Sequence, residues 1–173
     1  MTDHLEELNT GLREFRGAVH ADASVAARVR CRVIGFAETP MAPQPLESFT
    51  SLPKLEPCAG TNFGPAFTFV HDTIDRDVRG LKEKRLRVHR PIVFFLSDGQ
   101  PTDPVTWPAA FAALAERAWA ARPNVIAFGI GEADRDTLCR IGTFRTFLGR
   151  DGVRMSTALI ASVISVSPLL DRI

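Results

Sequence analysis

Apolar positions along the chain fall into two alternating periods. Leu5, Leu8, Leu12, Phe15 and Val19 recur at steps of three and four, which predicts an amphipathic helix over residues 4–20. A loop through His20 to Ala27 follows. Val29–Ala37 (VRCRVIGFA) alternates and then turns apolar, the pattern of a strand. Pro40, Pro43 and Pro45 come next, and proline cannot donate to a ladder, so any strand here lies at a sheet edge. Ser48–Pro57 reads as an irregular connection. Thr61 or Asn62 is placed to cap a helix that tolerates Pro65 in its first turn. The inner face of that helix runs Phe67, Val70, Ile74 and Val78, to about Arg79.

The chain centres on Pro91–Asp103 (PIVFFLSDGQPTD). The unbroken apolar run Ile92–Leu96, ending in Ser97-Asp98-Gly99, predicts a strand buried on both faces, as inside parallel sheets. Thr106 then precedes an alanine-rich helix reaching Arg122, with Phe111, Leu114, Ala118 and Trp119 inward. Asn124–Gly131 predicts a second buried strand, and Glu132–Ile141 a short helix with Leu138 and Ile141 inward. Arg145–Gly149 predicts a last short strand and Val153–Ser167 a closing helix. This alternation predicts an α/β fold: a doubly wound, mostly parallel sheet with helices on both faces and one antiparallel edge strand.

Composition narrows the picture. A chain of 173 residues, 45% of them hydrophobic, is long enough for one domain, residues 1–173, with a core of its own. With 21 basic against 20 acidic residues, the chain is not expected to hold nucleic acid by bulk electrostatics. The local exception, Lys82–Arg90 (KEKRLRVHR), reads as a solvated connection, with a phosphate-binding patch as the alternative. Cys31, Cys58 and Cys139 form no CxxC pair and suit a reduced cytoplasm. The start, MTDHLEEL, is too polar for a signal peptide, and Ala158–Val166 is too short to span a bilayer. A cytoplasmic protein with no membrane partner is expected.

The candidate chemistry lies in two polar loops, Gly60-Thr61-Asn62 and Ser97-Asp98-Gly99 through Asp103. The carboxyl end of a parallel strand is where open α/β sheets bind their ligands. A threonine hydroxyl with an aspartate suits a hard cation such as Mg²⁺, which wants oxygen donors. The plainer reading of the same residues is a capping threonine and a turn aspartate.

FFLSDGQPTD resembles the fourth strand and following loop of bacterial von Willebrand factor A domains, especially the tellurium-resistance-associated kind. Leu8–Leu12, Val33–Ala37, Cys58–Asn62, Asp75–Val78 and Ala127–Gly131 are similar to further family segments in the same order. The resemblance implies a metal-ion-dependent adhesion site with Thr61 and Asp98 as ligands. Ser97, Gly60 and Asp103 would stand behind them or in the loop. It also implies an Asp-x-Ser-x-Ser motif on a central first strand, which this sequence lacks. Asp22-Ala23-Ser24-Val25-Ala26 imitates it but follows a helix and reads as loop. Met1 would match the methionine that follows the family motif, so the sequence would begin just after the missing strand. Losing roughly four buried aliphatic side chains forfeits about 6–12 kcal/mol. A marginal domain, or one with that slot otherwise filled, is therefore expected.

Two function classes follow. The first is a non-enzymatic binding module that meets a protein partner, whose carboxylate would complete a cation's shell, with weak or no Mg²⁺ binding by this chain. The second is a Mg²⁺-assisted phosphohydrolase using Asp98 and Asp103; no nucleophile–base pair accompanies it, since His4, His20, His71 and His89 are scattered. Gly129-Ile130-Gly131 alone is too little for a nucleotide-binding fingerprint, Asp134 standing where the third glycine belongs.

Overall fold

A computed structural model describes residues 2–42, 45–48, 60–149 and 157. It divides into two compact units: Met1–Val33, Ala42–Pro57 and Gly149–Ile173 in one, Ile34–Met41 and Cys58–Leu148 in the other.

In the first unit, helix α1 (Thr2–Ala21) follows its apolar period, with Phe15 and Val19 buried. The segment expected to be a loop is instead a second helix, α2 (Ala23–Arg28). Its cap is Asp22, whose carboxylate accepts from the amides of Ser24 (2.9 Å) and Val25 (3.2 Å). An aspartate followed by Ala-Ser-Val-Ala-Ala is an N-cap ahead of good helix formers, and this decides the conformation.

The Val29–Ala37 run is not one strand. It yields β1 (Arg30–Cys31) in the first unit and β2 (Gly35–Phe36) in the second. β1 pairs antiparallel with β4 (Glu47–Ser48), and β2 with β3 (Pro40–Met41). A strand persists only along the length of its ladder, and each partner here contributes two residues. Pro40 does lie in a short antiparallel pair, as its missing donor requires.

The second unit holds the sheet. β5 (Ile92–Ser97), β6 (Asn124–Gly129) and β7 (Arg145–Leu148) run parallel in the order β5-β6-β7. β6 is the strand buried along nearly its whole length; β5 is half-buried except at Phe95 and Ser97. The difference follows from position, since β6 is central and β5 ends the order among the described residues. Phe95, Val125, Ala127 and Leu148 project to one face, where they meet Phe63 and Phe67 of α3 (Phe63–Glu83). Trp107, Phe111 and Leu114 of α4 (Trp107–Leu114) and Leu138 and Ile141 of α5 (Arg135–Ile141) complete this core. Phe63 packs edge-on against Phe95 at 5.0 Å, and Phe36 stacks on Phe95 at 5.4 Å. Aromatic burial of this kind contributes beyond its area.

Two helix ends differ from expectation. α3 runs four residues past Arg79, and α4 stops at Leu114 rather than Arg122. Beyond α4 the Glu116 carboxylate accepts the Ala118 amide (3.1 Å), and Trp119 stacks on the His71 ring at 4.1 Å. These contacts hold the alanine-rich stretch in turns despite its propensity, and Ala118 is exposed rather than inward. The predicted helix Val153–Ser167, apart from residue 157, and most of the connection Ser48–Pro57 lie outside the described residues.

Candidate functional site

The site is built at the carboxyl end of β5. Ser97, its last residue, is buried, and its hydroxyl accepts the Gly99 amide at 3.1 Å. Asp98 follows, half-buried. Its Oδ1 accepts the Gln100 amide (3.0 Å) and the Ser97 hydroxyl (3.4 Å), so the carboxylate folds its own loop into an Asx turn. Gly99 adopts φ 73°, and a Cβ there would meet the Asp134 carbonyl oxygen at 2.7 Å. Only glycine allows both the left-handed backbone and that approach. Asp98 in turn accepts the Asp134 amide through its carbonyl (2.8 Å), and the Gln100 side chain donates to the Glu132 carbonyl (3.4 Å).

Three loops meet at this edge. Thr102 joins the Asp98 loop to the threonine loop: its amide donates to the Thr61 carbonyl (3.1 Å), and its hydroxyl donates to Asn62 Oδ1 (2.5 Å). The Thr61 amide points back at the Thr102 hydroxyl (3.4 Å). Asn62 then reaches the third loop, with its amide on the Ala37 carbonyl (3.0 Å) and its side chain on the Glu38 carbonyl (3.2 Å). Gly60, exposed at φ 86°, lies beside Glu38. Asn62 is therefore a tie between loops and not, as its position suggested, a side-chain cap of α3.

The cap comes from Asp103. Its Oδ1 accepts the Phe63 amide (2.8 Å) and its Oδ2 the Gly64 amide (2.7 Å), while the Thr106 hydroxyl also donates to Oδ2 (3.1 Å). Its carbonyl accepts the amides of Thr106 and Trp107, where α4 begins. A carboxylate satisfies orphan donors at a helix start and sits at the positive end of its dipole. A Cβ on Gly64 would stand 2.7 Å from Asp103 Oδ2, so the clamp also needs glycine there. Sequence reading placed Asp103 in the loop but missed this latch, because the bonded amides lie some forty positions upstream.

Neighbouring Asp134 caps α5. The Thr137 hydroxyl (2.7 Å) and the Asp136 amide (3.1 Å) hold its carboxyl below the ordinary aspartate value.

Thr61, Ser97 and Asp98 are thus carried on loops tied to one another. Among the described residues no hydrogen bond joins Thr61 to Asp98, and the Thr61 hydroxyl and Asp98 Oδ2 have no hydrogen-bond partner. The donors match a hard cation in kind, yet they carry one formal negative charge between them. No group of three or more His, Cys, Asp or Glu stands together among the described residues. By themselves these donors do not form a cage.

No protein-family model matches the sequence, and no curated protein does. Solved structures do resemble it. An aerotolerance-related membrane protein from Bacteroides fragilis aligns over 93% of this chain and 86% of its own, with TM-score 0.57 and 13% identity. Proximal thread matrix protein 1 from the mussel byssus aligns over 96% of this chain with TM-score 0.64 and 15% identity, though this chain spans only 43% of it. The manganese-loaded TRAP protein of Plasmodium vivax aligns over 88% of this chain and 64% of its own, with TM-score 0.52 and 15% identity. At such identities the likeness shows the fold alone: an α/β, Rossmann-like fold of the von Willebrand factor A type, with a parallel sheet flanked by helices. No helix among the described residues is long and apolar enough to cross a membrane.

Proposed function

We propose that this chain is a non-enzymatic protein-binding module that meets its partner with the loop edge carrying Thr61, Ser97 and Asp98. The observation that carries the reading is the three-loop tie through Thr102 and Asn62. It holds the Thr61 hydroxyl and one Asp98 oxygen unengaged on a built platform rather than spending them on the fold. A divalent ion bound there would be held by Thr61 and Asp98 with waters, and a partner carboxylate would supply the charge the chain lacks. Alone, the chain is expected to bind Mg²⁺ weakly or not at all. Calorimetry giving micromolar affinity, lost in Asp98→Ala, would contradict this.

The hydrolase alternative loses its second carboxylate, because both oxygens of Asp103 accept hydrogen bonds at α3. The resemblance of Ser97–Asp103 supports a cytoplasmic place in stress or tellurium-resistance complexes. Proximity labelling from the wild type, Asp98→Ala and Thr61→Ala, with matched thermal unfolding, tests the proposal. A partner set lost in both variants is expected. Identical sets in all three, or Mg²⁺-dependent hydrolysis of p-nitrophenyl phosphate abolished by Asp98→Ala, would overturn it.

A further inference from the structure

Part of the exposed basic stretch after α3 gathers around one surface pocket. Lys82, His89 and Arg90, all exposed, line this pocket of about 100 Å³ together with Val78, Val88 and Pro91, and no carboxylate is among its lining residues. None of these three side chains makes a hydrogen bond or ion pair among the described residues. Capping does not explain them. The Leu86 amide already satisfies the Leu81 carbonyl (3.1 Å), and the Arg85 amide the Lys82 carbonyl (2.8 Å). Lys82 still complements the negative end of α3, but His89 and Arg90 lie beyond the helix and have no such task.

We infer that this cavity binds a compact oxyanion, the phosphate of a small phosphate ester, at the end of the sheet opposite Asp98. Lys82 and Arg90 are like charges with no carboxylate beside them, and a phosphate supplies acceptors for both and for a ring N–H of His89. The guanidinium of Arg90 suits two phosphate oxygens at once, and Lys82 acts as a point charge. The cavity has room for one such group, and Val78 and Val88 offer contact to a small apolar ester substituent. The inference stands independently of the function proposed for Asp98.

The test is a titration of the full chain with phenyl phosphate and with inorganic phosphate at constant ionic strength, followed by amide NMR shifts. Residues 78–90 and 120–121 are expected to shift along a saturable curve that chloride does not reproduce. Lys82→Gln combined with Arg90→Gln, on a chain of unchanged thermal unfolding, should weaken binding by about tenfold or more. Asp98→Ala should leave it unchanged. Competition by phosphatidate-bearing vesicles would assign the phosphate to a lipid headgroup, and its absence to a soluble ester; either result keeps the site. Shifts that grow without saturating, or the same midpoint in the double variant, would overturn it.

Discussion

Asp103 accepts from two amides at one helix start and, through its carbonyl, from two more at another. Removing it orphans the first pair of donors. Asp103→Ala is expected to cost about 2–3 kcal/mol, read by urea unfolding. Gly64→Ala should cost a similar amount, because its new methyl displaces the same carboxylate. Combined, the two should cost clearly less than their sum, since once Asp103 is gone the methyl has nothing to expel. Full additivity would show that Gly64 serves some other purpose. Asp134 behaves differently. The Thr137 hydroxyl and the Asp136 amide depress its carboxyl from 3.8, so its contribution is present above that value and lost as pH falls through the lower folded one. Melting temperatures measured downward from pH 5 should therefore fall more steeply in the wild type than in Asp134→Asn.

At the scale of elements, α3 ends in a Schellman motif whose left-handed position is filled by Arg85 at φ 59° rather than by glycine. An L side chain is strained there, so Arg85→Gly is expected to stabilise the protein by about 0.5–1 kcal/mol in thermal unfolding. The elements legible beforehand were those whose signal is local. The apolar runs of β5 and β6 and the periodic faces of α1 and α3 carry their own instructions. Val29–Ala37 carries an equally good strand pattern, but a pattern cannot supply a partner, and only two-residue ladders form. The stretch after Leu114 has helix propensity throughout, yet the ring contact of Trp119 with His71 and the Glu116 side-chain bond override it. At the site, Asp98 could be picked out because a strand delivers it. Thr102, Asn62 and Asp103 act across long sequence separations that no spacing rule encodes.

At the scale of the whole molecule, thiol chemistry separates buried from open surface. Burial pushes the half-buried Cys31 thiol up to about 11, whereas Cys139 is exposed on α5. At neutral pH Cys31 therefore carries far less thiolate than an ordinary thiol. Iodoacetamide followed by peptide mapping should modify Cys139 well before Cys31, which should react readily only in denaturant; equal rates for these two in the native protein would contradict this. The Asp103 latch has a consequence for encounter as well. A loop that also holds the start of two helices loses its freedom during folding, before any partner arrives. Docking on it should therefore resemble the meeting of rigid bodies. Association rates should lie in the ordinary range of about 10⁵–10⁷ M⁻¹s⁻¹ and rise linearly with partner concentration without reaching a plateau. The heat-capacity change should match contact area alone, with no part of it from a loop folding on contact.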